Sequence, residues 1–161
     1  MNAMAGTNDL QELARCLREE LAALAAFESA LEQEVLALGE VRAPEKLKTT
    51  TDAKSHAATR LHAAFERRVL AVRSIDPAVL NGDCVGIAAG APAIRALWEP
   101  LLRLVHHAQE KNLANGRLIE GYRRYNEVAL ENLREAAGLQ NSYTARGKAL
   151  SARTKRTLAT G

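Results

Sequence analysis

Leu10, Leu17, Leu24, Leu31 and Leu38 recur at every seventh position. Ala14, Leu21 and Val35 lie four residues after a leucine, and only Glu28 breaks that second row. Leu13 and Phe27 widen the stripe. A seven-residue apolar repeat sustained over about four heptads predicts a helix that packs as coiled coils do. Thr7, Asn8 or Asp9 is placed to cap its start, Glu12 complements the first turn, and Gly39 is a stop. The pattern predicts a first helix over 9–39. At 1.5 Å per residue it is about 45 Å long and cannot bury its stripe without partner helices.

A second helix is expected over 44–74. Pro44 suits a first helical position. Leu47, Ala58, Leu61, Phe65, Val69 and Val72 form its apolar face, and Asp76-Pro77 ends it. The Thr49-Thr50-Thr51 run has weak helix propensity, which predicts loose early turns. The short segment between Gly39 and Pro44 folds this helix back antiparallel on the first. Asn81-Gly82, Gly86, Gly90 and Pro92 break up the stretch from Ile75 to Pro92, which reads as a long connection.

A third helix is expected over 92–137, with Pro100 kinking it or marking its true start. Its stripe is Leu101, Val105, Ala108, Asn112, Asn115, Ile119, Tyr122, Asn126, Ala129 and Leu133, at spacings of four and three. Asn115-Gly116 ordinarily marks a turn. The unbroken periodicity argues for helix there, at about 1 kcal/mol for the glycine relative to alanine. Gly138 stops the helix. The fold expected is all-α: an antiparallel bundle of three long helices forming a domain over 1–138, followed by a flexible basic tail over 139–161.

Composition supports this reading. Ala, Leu and other strong helix formers dominate, while aromatic residues make up 4% of the 161. The net charge of +3 hides an asymmetry. Arg146, Lys148, Arg153, Lys155 and Arg156 stand in the tail without an acid, and the remainder carries seventeen bases against nineteen acids. Two distant cysteines suit a reducing compartment. The first ten residues lack the features of a signal peptide, and no apolar run approaches the roughly 20 residues that span a membrane. A cytoplasmic protein is expected.

Nothing in the chain points to catalysis. His106-His107 with Glu110 offers at most two ligands on one helical face, because adjacent helix positions diverge by about 100°. His56 and His62 are isolated. Cys16 and Cys84 have no base nearby in sequence and read as buried thiols. There is no phosphate-binding glycine loop, nucleophile elbow or cofactor box. Neither enzymatic activity, a cofactor nor a metal is expected. The tail's dispersed bases, with Tyr143 alone among them as an aromatic, are a weak signal for nucleic acid.

The amides of the third-helix stripe are the most informative feature. Asn112, Asn115 and Asn126 stand where a core favours leucine, and a buried amide without a partner costs about 1–3 kcal/mol. Each amide can bond to neighbouring helices and fix register. Alternatively this segment is only half covered and offers Leu118, Ile119, Tyr122, Tyr125, Asn126, Leu130 and Leu133 to a partner helix. Periodicity leaves both readings open.

The run Asn112-Leu113-Ala114-Asn115-Gly116-Arg117-Leu118-Ile119, followed by Asn126, Leu130 and Leu133, resembles the FlgN-type flagellar export chaperones. Trp98 and the leucines after it fit the same pattern, as does the leucine-rich first helix. Ser142-Tyr143-Thr144-Ala145-Arg146-Gly147 resembles the family's tail element, with Thr144 where the family usually has glycine. The resemblance implies a non-catalytic cytoplasmic chaperone that binds hook–filament junction proteins and delivers them to the flagellar type III export gate. It implies client binding by Asn112, Asn115, Leu118, Ile119, Tyr122, Tyr125, Asn126, Leu130 and Leu133, and docking on the gate through Tyr143. A coiled-coil adaptor, self-associating through the first-helix leucines, is the alternative.

Overall fold

The computed structural model describes the backbone of residues 6–40 and 44–154, with side chains except those of 44 and 138–154. Four helices follow one another: α1 (Thr7–Gly39), α2 (Pro44–Ile75), α3 (Val85–Gly90) and α4 (Pro92–Thr154). No strand occurs among the described residues. The chain divides into two compact units, Met1–Gly116 and Arg117–Gly161.

In the first unit α1 begins at Thr7, capped by the backbone of Gly6 rather than by a side chain. The Gly6 carbonyl accepts from the Asp9 and Leu10 amides at 2.9 and 3.3 Å. Thr7, Asn8 and Asp9, expected as caps, lie inside the helix instead, with Asp9 in the first turn.

The buried seam of α1 differs from the expected one. Leu17, Leu24, Leu31 and Leu38 are buried and Leu10 is half-buried. The row four residues after each leucine holds at Ala14, which is buried, and at Leu21, which packs against the core, but a deeper row lies three residues after each leucine. It consists of Leu13, Glu20, Phe27 and Glu34. Val35 is 40% exposed, whereas Glu34 has no accessible surface. The seam thus alternates spacings of three and four from Leu10 to Leu38, with two acids embedded in it. A search for apolar residues passes over those acids and selects Val35.

Both acids are paired across the seam. Arg68 Nε and Nη2 donate to Glu20 at 2.5 and 3.1 Å. Lys54 Nζ lies 2.7 Å from Glu34 Oε1 and donates to Oε2 at 2.9 Å. The acids are two heptads apart on α1, and their partners are two heptads apart on α2 in the reverse order. The pairs therefore run α2 back along α1. Contacts between α1 and the early part of α4 progress in the same order along both helices. His107 meets Glu28, Lys111 meets Glu28 and Glu32, and Asn115 meets Glu34. Here Pro92–Gly116 runs parallel to α1.

The threonines of α2 lie within the helix, which starts at Pro44. Thr49 and Thr50 donate to the carbonyls of Glu45 and Leu47 at 2.9 Å, which satisfies their hydroxyls within the helix. Ala58, expected on the apolar face, is exposed.

The connection after α2 is built from side-chain turns. Asp76, Asn81 and Asp83 accept from amides two residues ahead, those of Ala78, Asp83 and Val85. Gly82 has φ of +69°, and Arg68 Nη1 donates to its carbonyl. The stretch is not wholly irregular, because α3 forms within it. Arg95 closes the end of α3 by donating to the Ala88 and Ala89 carbonyls.

Leu13, Leu17, Leu24, Val72, Cys84, Ala88, Ile94, Trp98 and Leu101 form one apolar core. The Arg68 guanidinium lies 5.1 Å from the Phe65 ring centre and 5.0 Å from that of Trp98. Burial of this one cation is thus shared among a carboxylate, a carbonyl and two aromatic faces.

Pro100 lies inside α4 and does not mark its start, which is Pro92. The Ala91 carbonyl accepts from Ile94 and Arg95 and opens the helix. The helix also continues past Gly138, where a stop was expected, to Thr154. One glycine costs about 1 kcal/mol in a helix, and no proline follows it to enforce an end. For residues 138–154 of the expected tail only the backbone is described, and 155–161 lie outside the described residues.

Candidate functional site

The candidate surface lies on α4. Within one helix, residues three, four, seven, eleven and eighteen positions apart share a face. Counted from Asn115, those positions are Leu118, Ile119, Tyr122, Asn126 and Leu133. Leu130 falls at one edge of that face and Tyr125 at the other.

Asn115 differs from the rest. It is 3% exposed, and its amide nitrogen donates to the Leu31 carbonyl at 2.9 Å and to Glu34 Oε2 at 3.0 Å. Asn112 and Asn126 are exposed. The two readings of the amides therefore divide by residue: Asn115 bonds to a neighbouring helix, and the other two are open.

Beyond Gly116 no residue from Arg117 to Ala137 is buried. Tyr125 is 72% and Leu133 66% exposed, and Leu118, Tyr122 and Leu130 are also exposed. Ile119 is half-buried. Val128 is a further exposed apolar residue that sequence reasoning missed, because it falls off the stripe.

The opposite side of this segment is charged. Arg123 bridges Glu120 and Glu127, and Arg124 donates to Glu120 at 3.1 Å. Hydrogen bonds from Arg123 and then Arg124 lower the Glu120 carboxyl to about 2. Intrahelical ion pairs satisfy one side, while the other carries leucine, tyrosine and asparagine with no partner among the described residues. Such a segment is an amphipathic helix with its apolar face uncovered.

The remaining candidates are ordinary. His106 and Glu110 are both exposed and 3.7 Å apart. No group of three or more metal-ligating side chains occurs among the described residues. Cys16 and Cys84 are free and buried. Burial pushes both thiols upward, that of Cys84 to about 11, which disfavours the nucleophilic thiolate. The Tyr143 side chain lies outside the described residues. The α1 leucines are covered within the chain itself, so their stripe is not free to pair with a second copy. No helix among the described residues is long and apolar enough to cross a membrane.

A long-helix protein with a covered leucine seam and an uncovered amphipathic segment is a helical binding protein by class. The model of the FlgN protein family matches residues 1–151, and the chain belongs to that family. It is a flagellar export chaperone. No curated protein and no solved structure matches the chain.

Proposed function

We propose that the protein binds hook–filament junction proteins in the cytoplasm, keeps their helical C-terminal segments soluble, and delivers them to the flagellar type III export gate. The uncovered face from Leu118 to Leu133 carries this reading, in a chain that belongs to the FlgN family. Before assembly such clients expose apolar helical stripes. Leu118, Ile119, Tyr122, Tyr125, Leu130 and Leu133 supply apolar area to cover one, while Asn112 and Asn126 keep the interface partly polar. A partly polar interface of modest size suits a client that must be released. Tyr143 is the residue assigned to the gate. The proposed action is binding and hand-over, with no chemical step and no cofactor.

Calorimetric titration with C-terminal segments of the organism's own junction proteins tests this. Saturable binding with a negative heat-capacity change is expected, since apolar surface is buried. The double substitution Ile119→Glu, Tyr122→Glu is expected to abolish it. Unchanged affinity in a folded double variant would refute this surface, and no binding by the unaltered chain would refute the client assignment.

A further inference from the structure

Asn115 is chemically singular within the stripe. Its amide nitrogen serves two acceptors, the Leu31 carbonyl and Glu34 Oε2. A carboxylate accepts only, so aspartate cannot fill the same role, and leucine leaves both oxygens facing an apolar group. Glu34 is itself inaccessible to solvent and is held by Lys54 and by the Thr51 hydroxyl at 3.5 Å. A bound client therefore cannot touch Glu34.

The two turns before Asn115 are polar in the same way. His107 Nδ1 lies 2.7 Å from Glu28 Oε1, and Lys111 Nζ is 2.7 Å from Glu32 and 3.5 Å from Glu28. Apolar contacts tolerate a small rotation of one helix against another. Directional bonds to a fixed carboxylate and a fixed carbonyl do not. Asn115 is also the last buried residue of α4 among those described, one residue before the first unit ends at Gly116.

We propose that Asn115 is a positioning residue for client binding: by bonding α4 to Glu34 and Leu31 it fixes the rotation and the helicity of α4 at Gly116, without touching the client. In an α-helix the amide of residue 119 bonds to the carbonyl of residue 115, so fraying at Asn115 passes directly to Leu118, Ile119 and Tyr122. The proposal rests on the client-binding reading above. Its distinctive consequence is that Glu34, which no client reaches, behaves as Asn115 does.

The test compares the full chain with Asn115→Ala, Glu34→Met and the double variant, titrated with the junction-protein segments and checked for folding by circular dichroism; methionine keeps the length of the side chain and removes both acceptor oxygens. Each single change is expected to weaken binding about tenfold. The double is expected to be no weaker than the worse single, because both remove the same bond. In a second arm, Asn115→Asp weakens binding more than Asn115→Ala by placing two carboxylates together, and adding Glu34→Gln relieves that repulsion only in part, because the Leu31 carbonyl still lacks its donor. Loss of affinity in Asn115→Ala with none in Glu34→Met would overturn the proposal in favour of direct client contact, and full affinity in Asn115→Ala would overturn it outright. Hydrogen exchange without client separates the two readings. Amides of residues 112–119 are expected to exchange about tenfold faster in Asn115→Ala, and unchanged exchange overturns the anchor even if no client binds.

Discussion

At the scale of single residues, the sharpest constraint outside the client surface sits at Gly82. Its φ of +69° belongs to the left-handed region, and a Cβ there would lie 2.9 Å from Val69 Cγ2 and 3.0 Å from Arg68 Nη1. Both neighbours are buried, and the Val69 backbone is close behind at 3.3 Å. Gly82→Ala is therefore expected to destabilise the protein by about 1–3 kcal/mol, read as a lower denaturant midpoint. A midpoint unchanged within error would show that the turn relaxes freely. Glu120 gives a second prediction. Arg123 and Arg124 hold its carboxyl near 2 against an ordinary value of 4.5. A lowered carboxylate adds helix stability above its ordinary value, and that stability is lost as pH falls toward the folded value. All three groups are exposed, so salt screens the effect. Site-resolved NMR titration should show Glu120 protonating last among the glutamates of its helix. The double change Arg123→Gln, Arg124→Gln should return it toward 4.5.

At the scale of elements, the seam of α1 separates what the sequence states from what it conceals. Leucines every seventh residue made the helix and its length legible, because apolar periodicity is the strongest local signal. Choosing between a second row three residues on and one four residues on needed the partner helices. Two of the three-on positions carry Glu20 and Glu34, which become intelligible only when Arg68 and Lys54 are found two heptads apart on α2. Opposite charges with matching heptad separation on consecutive helices are a sequence signal, though one hidden from any count of apolar residues. Gly138 misled for the opposite reason. A glycine disfavours a helix by only about 1 kcal/mol, which helical neighbours outweigh. On the surface proposed for the client, the exposed stripe from Leu118 to Leu133 was legible by period. The separate fate of Asn115 was not, because its partner Glu34 is an acid that apolar periodicity passes over. The seam yields a direct comparison. Leu31→Ala removes a side chain that is 1% exposed and is expected to cost about 2–5 kcal/mol. Val35→Ala, four residues on, is expected to cost under about 0.5 kcal/mol. Equal costs in chemical denaturation would place the seam where the apolar pattern alone had put it.

At the scale of the whole molecule, burial is distributed unevenly between the two units, and the proposed function draws on that distribution. Every residue buried among those described belongs to Met1–Gly116, whereas Arg117–Ala137 has none. Helix propensity alone holds a segment of about 20 residues only marginally in water, since nucleation is costly and most helical stability comes from packing. Among the described residues, the segment Arg117–Ala137 is supported by its own ion pairs, Glu120 with Arg123 and Arg124 and Arg123 with Glu127. A chaperone gains from this arrangement. On the proposed function, the scaffold stays folded without a client, and the segment proposed to bind and release it is held by few packing contacts until the two meet. Hydrogen exchange measures the division directly. Amides of α1, α2 and the Pro92–Gly116 part of α4 are expected to be protected close to the global unfolding limit. Those from Arg117 to Ala137 are expected to exchange orders of magnitude faster and to slow when a junction-protein segment is added. Uniformly strong protection along the whole of α4 in the free protein would mean that its apolar face is already covered, and a client would then have to displace whatever covers it.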